Sequence, residues 1–204
     1  MIYRPLTGAV FFFCLSLLSL PYRCYLVSFS LAFHKISRGD IAVHIINFNQ
    51  SPNACAQIYG SVAYPEIRGI VRFYQTKSGV LVAAEVAGLP YDDGPCGAEI
   101  FGFHIHEGAV CAGNATDPFA DTDGHYNPRN CLHPDHAGDL PPLFGNQGFA
   151  FMTVFTNRFI VDEIIGKTVV IHRHRDDFTT QPSGDSGPKI ACGQIYKNMS
   201  SCCC

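Results

Sequence analysis

"IRGIVRFYQTKSGVLVAAEVAG", residues 67–88, decides the fold class, because it contains two strand-like runs joined by a tight turn. Residues 67–76 and 79–88 are rich in β-branched and aromatic side chains, which favour strands. The two runs meet across Lys77, Ser78 and Gly79. A short connection that contains glycine is typical of a β-hairpin. The stretch therefore predicts two antiparallel strands.

The same pattern continues on both sides of this hairpin. Further short runs of strand-forming residues stand between turn signals at 57–64, 99–107, 149–156, 158–161, 167–174 and 189–197. Residues 108–148 form a long stretch rich in glycine and proline, and none of the runs has the length and period of a helix. We therefore predict an all-β fold, an eight-stranded Greek-key barrel or sandwich with one long loop.

The chain has 204 residues, which is enough for one domain with tails. We expect this domain at residues 56–197, after a linker at 43–55 and before a Cys-rich tail at 198–204. Residues 1–42 form an apolar leader, which is a signal peptide, an uncleaved anchor or an artefactual extension. A functional leader predicts a secreted or cell-envelope protein, and an artefactual one predicts a cytoplasmic protein.

Two groups of histidines indicate metal chemistry. His104 and His106 are two apart on a predicted strand, so they share one face while Phe103 and Ile105 face the core. The long loop adds three histidines and a carboxylate, and one more histidine follows the apolar run 168–171; these residues are His125, His133, His136, Asp139 and His172. Three imidazoles with one carboxylate suit tetrahedral zinc, whereas four imidazoles suit copper.

Six segments resemble the copper/zinc superoxide dismutase family, in the order in which that family has them. They are "GFHIHE" at 102–107, "GHYNP" at 124–128, "HAGDLPPL" at 136–143, "GKTVVIH" at 166–172, "DDF" at 176–178 and "IACG" at 190–193. The resemblance covers about residues 56–196. It implies one copper and one zinc per chain, and a reaction in which copper is alternately reduced and reoxidised while superoxide becomes oxygen and hydrogen peroxide.

The resemblance also implies which residues do this. The expected copper ligands are His104, His106, His125 and His172, and the expected zinc ligands are His125, His133, His136 and Asp139. His125 would bridge both metals and deliver a proton, so it is expected to be a catalytic residue. Asp176 would link the imidazoles of His104 and His133.

Lys189 and the cysteines are the remaining expectations from the resemblance. Lys189 stands where the family usually has an arginine near copper, so we expect a catalytic role that keeps the charge but loses the planar donor fork. Cys192 is expected in a disulfide with Cys111, with Cys131 as a rival partner. A second bridge between Cys96 and Cys131 is an open alternative.

The partners are only partly indicated. Superoxide is the expected substrate, and a homodimer is possible, whereas the copper source or chaperone is unknown. The net charge of −3 gives no electrostatic reason to expect nucleic acid as a partner. The alternative function is a non-catalytic copper/zinc-binding or copper-handling module, which would need the same metal ligands.

Overall fold

A computed structural model of the chain describes residues 51–94 and 99–197. The predicted leader, the Cys-rich tail and Cys96 lie outside these residues. Within them, no helix has both the length and the apolar character needed to cross a membrane.

The hairpin predicted at residues 67–88 is confirmed. Strand β2 (Arg68–Gln75) pairs with β3 (Val80–Ala87), and Gln75 is the register partner of Val80 at the turn. The Thr76 N–H donates to the Gly79 carbonyl at 2.8 Å. The Gly79 N–H in turn donates to the Thr76 hydroxyl at 3.2 Å, which closes the turn.

The described residues form nine strands, and seven of them make one antiparallel sheet. The strands besides β2 and β3 are β1 (Ala54–Gly60), β4 (Ile100–Phe101), β5 (Phe103–His106), β6 (Leu143–Phe144), β7 (Ala150–Thr156), β8 (Thr168–His172) and β9 (Lys189–Lys197). The large sheet has the order β5-β8-β9-β1-β2-β3-β7, and β4 pairs with β6. The large sheet curls into a half-barrel, which confirms the predicted all-β barrel class.

The predicted strand at 99–107 is divided at Gly102 into β4 and β5. The nine strands also include β6, which lies within the predicted long loop, whereas the run predicted at 158–161 is not a strand. The Gly102 N–H donates to the His174 carbonyl at 2.7 Å, and its carbonyl accepts from the His172 N–H at 2.8 Å. A Cβ at residue 102 would lie 2.7 Å from the Ser186 hydroxyl oxygen. The close approach of Gly102 to Ser186 therefore depends on the absence of a side chain at residue 102.

The core lies on the concave side of the curled sheet. Phe73, Phe103, Ile105 and Ile171 are fully buried there. Each such side chain contributes roughly 1.5–3 kcal/mol of hydrophobic stabilisation. Because side chains alternate along a strand, burial of Phe103 and Ile105 directs His104 and His106 to the outer face.

One predicted strand is absent, and the boundary of another is wrong. The run 158–161 is not a strand: Phe159 is buried in the core, and a short helix α1 (Val161–Ile164) follows. The Glu163 carboxylate accepts the Ile160 N–H at 2.9 Å, which favours the helix start over an extended chain. Strand β1 ends at Gly60 rather than at residue 64, because residues 61–64 make a turn.

A small apolar cluster on the outer face attaches the segment 111–123 to the sheet. Phe119 packs there with Val170 and Cys192, and Cys111 lies against them. Cys111 and Cys192 form a disulfide, as expected from the resemblance. Cys131, the rival partner, makes no disulfide with another described cysteine.

Candidate metal centre

The first group of histidines converges on the outer face of the sheet. His104 and His106 project from β5 and His172 from the end of β8, while His125 comes from the long loop. Each has a ring nitrogen within 4.8 Å of those of the other three. His106 Nε2 and His172 Nε2 are only 3.2 Å apart. Four imidazoles therefore surround one small space.

A second group lies beside the first and shares His125 with it. Its members are His125, His133, His136 and Asp139, and their ligand atoms also lie within 4.8 Å of one another. Asp139 Oδ1 is 2.7 Å from His125 Nδ1. Asp139 Oδ2 is 3.2 Å from the Nδ1 atoms of His133 and His136. Nδ1 of His125 thus contacts the second group, which leaves its Nε2 for the first group.

Backbone hydrogen bonds to strand β5 hold the long loop in place. The Tyr126 N–H donates to the Ile105 carbonyl at 2.8 Å, and the Ile105 N–H donates to the Gly138 carbonyl at 2.9 Å. A Cβ at Gly138 would lie 2.3 Å from the Ile105 carbonyl oxygen, so only glycine permits this approach. His125 and Asp139 are neighbours of these paired residues, which explains how the loop delivers them beside His104 and His106.

Asp176 joins the two groups from outside. One carboxylate oxygen lies 2.8 Å from His104 Nε2, and the other lies 2.9 Å from His133 Nε2. The Phe178 N–H donates to the same carboxylate at 2.7 Å. These contacts make the Nε2 atoms the donors and leave Nδ1 of both imidazoles available as a ligand.

Two backbone carbonyls orient the remaining histidines of the first group. His106 Nδ1 donates to the Asp123 carbonyl at 2.8 Å, and His172 Nδ1 donates to the Gly187 carbonyl at 3.1 Å. Both rings consequently present Nε2 to the shared space. The outer ring nitrogen thus has a hydrogen-bond partner among the described residues in four of these histidines: His104, His106, His133 and His172.

Gly184 is needed for the contact of Asp176 with His133. Its φ is +67°, in the left-handed region that favours glycine. A Cβ at this position would lie 1.9 Å from Asp176 Oδ1 and 2.7 Å from His133 Nε2. The loop that follows β8 can therefore close over this carboxylate only with glycine at residue 184.

Burial keeps the imidazoles of His104, His106 and His172 neutral. Desolvation lowers the pKa of His104 to about 4 and the pKa of His172 to about 3. It also takes the pKa of His106 well below its ordinary value. Burial alone would raise the pKa of Asp176, but hydrogen bonds led by His104 lower that pKa to about 2. The three histidines therefore offer neutral imidazoles, the form that metals bind. Burial alone would also raise the pKa of Asp139, the carboxylate of the second group, but its hydrogen bond with His125 and the neighbouring imidazoles lower that pKa.

Four buried imidazole nitrogens have no hydrogen-bond partner among the described residues. They are His104 Nδ1, His125 Nε2, His133 Nδ1 and His136 Nδ1. Buried polar atoms normally have partners, so unpartnered nitrogens that converge are unusual. A metal ion bound in each group would accept the lone pairs of all four nitrogens. The first group, with imidazoles only, fits copper, and the second, with three imidazoles and a carboxylate, fits zinc.

Lys189 lies next to the first group but its charge is already partnered. It is the register partner of His172 across β8 and β9. Its ammonium donates to the Asp117 carboxylate at 3.1 Å and to the Phe119 carbonyl at 3.0 Å. Asp117 was not among the residues identified from the sequence, and no spacing pattern could have found it, since it lies 72 residues from Lys189.

Comparison with known proteins supplies independent information about this arrangement. Residues 67–195 match the family model described as copper/zinc superoxide dismutase. The chain is 30% identical over 172 residues to a Cu-Zn superoxide dismutase of Aquifex aeolicus, which covers 77% of this chain and 94% of that protein. It is 32% identical over 148 residues to the enzyme of Legionella pneumophila, covering 69% and 85%. An extracellular Cu-Zn superoxide dismutase of Schistosoma mansoni is 31% identical over 143 residues, covering 62% and 72%.

Proposed function

The chain belongs to the copper/zinc superoxide dismutase family, and we propose that it is an active enzyme that converts superoxide to oxygen and hydrogen peroxide. One observation carries the proposal: two groups of potential metal ligands share His125. Its Nδ1 contacts Asp139 of the second group, and its Nε2 is buried without a hydrogen-bond partner among the described residues. Because one imidazole belongs to both groups, a redox ion held in the first group would be coupled directly to a second ion held in the other.

In this proposal His104, His106, His125 and His172 hold copper, and His125, His133, His136 and Asp139 hold zinc. Copper supplies a one-electron redox couple when bound, and zinc supplies charge and structure without redox chemistry. The orphaned nitrogens His104 Nδ1 and His125 Nε2 belong to the copper group, and those of His133 and His136 belong to the zinc group. The donor types support this division.

His125 also has the proposed proton-handling role. Converting two superoxide anions to oxygen and hydrogen peroxide consumes two protons, so a proton donor near the reacting oxygen is useful. His125 Nε2 is buried without a hydrogen-bond partner among the described residues, and Asp139 holds its Nδ1. The ring is therefore fixed through Nδ1, and Nε2 is the atom at which a proton can be held and passed on.

Metal analysis combined with a superoxide-consumption assay tests the proposed function. We expect the purified full chain to bind one copper and one zinc, and to consume superoxide only when copper is present. Two metals per chain without dismutase activity would refute the proposal and favour the non-catalytic binding module. Activity that survives complete removal of copper would refute it as well.

Lys189 is proposed to attract superoxide less efficiently than an arginine at this position would. Its ammonium already donates to the Asp117 carboxylate and the Phe119 carbonyl. Lys189→Arg is expected to raise kcat/KM about threefold or more, because a guanidinium has five donors against the three of an ammonium and keeps more of them free after contacting the same two partners. Lys189→Gln is expected to lower kcat/KM and flatten its dependence on ionic strength. Pulse radiolysis over a range of salt concentrations measures both, and Lys77→Arg in the β2–β3 turn is the control. If Lys189→Arg changes neither quantity, the steering role is wrong.

We also propose that the protein works in an oxidising compartment. The Cys111–Cys192 disulfide supports this, because disulfides persist in secreted and periplasmic proteins and are rare in reducing cytosol. One relative, that of Schistosoma mansoni, is named as extracellular.

A further inference from the structure

Arg158 lies beneath the part of the long loop that carries the proposed zinc ligands. It follows the end of strand β7 at Thr156. Its Nη1 donates to the Pro134 carbonyl at 2.9 Å and to the His136 carbonyl at 3.2 Å. The same nitrogen lies 3.4 Å from the Asp139 carbonyl. One guanidinium therefore contacts three carbonyls within six consecutive residues of the loop.

The charge of Arg158 stabilises the arrangement of these three carbonyls. Three carbonyl dipoles whose negative ends converge repel one another, and a cation between them offsets this repulsion. Two of the three belong to His136 and Asp139, so their position fixes where two proposed zinc ligands leave the backbone. A side chain that sets these carbonyls also sets the ligand geometry.

Arg158 is itself anchored to the sheet. Its N–H donates to the Thr156 hydroxyl at 3.2 Å, and its carbonyl accepts from Arg129 Nη2 at 2.8 Å. The next residue, Phe159, is buried in the core. The contact with the loop thus starts from a short connection that is held to β7 on one side and to the core on the other.

His133 has a separate support, which makes the role of Arg158 specific. The Gln181 side chain accepts the His133 N–H at 2.9 Å and donates to the His133 carbonyl at 2.7 Å. Asp176 holds the imidazole of the same residue. Arg158 makes no described contact with His133 itself. Its contacts are with the carbonyls of Pro134, His136 and Asp139 and, at 3.9 Å, with the Asp135 carboxylate, so among the zinc ligands of the loop it contacts only His136 and Asp139.

We infer that Arg158 is a positioning residue that organises His136 and Asp139 for zinc. The inference rests on the proposed function, since it takes the second group of ligands as the zinc site. Arg158 acts through the loop backbone and does not contact the imidazole or carboxylate ligand atoms. Its removal is expected to weaken zinc binding while the barrel remains folded.

The test measures zinc affinity of the full chain by competition with a chelator. Arg158→Gln is expected to raise the zinc dissociation constant at least about tenfold, the usual effect of losing a residue that orients metal ligands. Arg158→Lys, which keeps the charge, is expected to recover part of the loss. Arg68→Gln is the matched control, because that arginine is exposed on β2 and its ion-pair partner among the described residues is the exposed Glu66, at 4.0 Å. Zinc binding by this control is expected to be unchanged.

The unfolding midpoint of the metal-free proteins separates positioning from general stability. A positioning role predicts a similar midpoint for wild type and Arg158→Gln without metal, and a smaller rise on zinc addition for the variant. An unchanged zinc dissociation constant in Arg158→Gln would overturn the inference, whatever the midpoint. If Arg158→Gln does not fold, Arg158→Lys decides the question. The inference is overturned if Arg158→Lys binds zinc as tightly as the wild type while its own metal-free midpoint is lowered. Failure of the wild type to bind zinc would instead refute the proposed function.

Discussion

Replacing His125 by alanine is expected to lower dismutase activity of the copper- and zinc-treated protein at least about a thousandfold. The substitution removes one imidazole from each ligand group and also the proposed proton donor. Loss of a positioned proton donor alone lowers a rate by about 10²–10⁴. The measurement is superoxide consumption at saturating metal, with copper and zinc content determined on the same sample.

His174→Ala is the matched control for this experiment. His174 follows β8 but is exposed and belongs to neither ligand group, so its removal is expected to leave activity unchanged. Wild-type protein depleted of zinc alone is expected to retain some activity, because His125 Nε2 still faces the copper group. Full activity in His125→Ala would show that the shared imidazole is not part of the reaction.

Removing the Cys111–Cys192 disulfide is expected to have the largest effect on stability. The two cysteines are 81 residues apart, so the bridge restrains a long loop of the unfolded chain. Loop-closure entropy for this length corresponds to about 4.5 kcal/mol at 25 °C. Because native domains have only about 5–15 kcal/mol of stability, the Cys111→Ser/Cys192→Ser protein is expected to be close to unfolding at physiological temperature.

Urea unfolding of the metal-free proteins measures this contribution. Cys131→Ser is the control, since Cys131 makes no disulfide with a described cysteine, and its unfolding free energy is expected to stay within about 1 kcal/mol of wild type. Reduction of the wild type by dithiothreitol is expected to reproduce the loss seen in the double variant. A double variant as stable as wild type would mean that the small cluster of Phe119 and Val170 suffices to hold the segment.

The fold class could be read from the sequence because strand signals are local. Alternation and β-branched residues marked β2, β3, β7 and β9, and a one-residue interval in "HIH" was enough to place two histidines on one face. The division at Gly102 and the helix at 161–164 were missed. Both depend on contacts with distant residues or on burial of Phe159, and neither leaves a pattern in the neighbouring sequence.

The same distinction applies to the site. The resemblance identified all the members of the two groups that the structure brings together, since they lie in recognisable motifs. Side chains that support the groups were missed, as Arg158, Gln181 and Asp117 show. Each makes its contact across 19 to 72 residues of chain, and arginine, glutamine or aspartate at a loop position is ordinary surface composition until the fold is known.

The hydrogen bonds between the long loop and strand β5 have a consequence beyond ligand placement. β5 is the outermost strand at one end of the seven-stranded sheet, and its outward backbone groups would otherwise be open to pairing with another chain. Ile105 uses both its N–H and its carbonyl on the loop, and the Glu107 N–H donates to the Gly124 carbonyl. The loop therefore covers the exposed edge of the sheet. The segment that gathers the ligands also protects the barrel from edge-to-edge association with another chain.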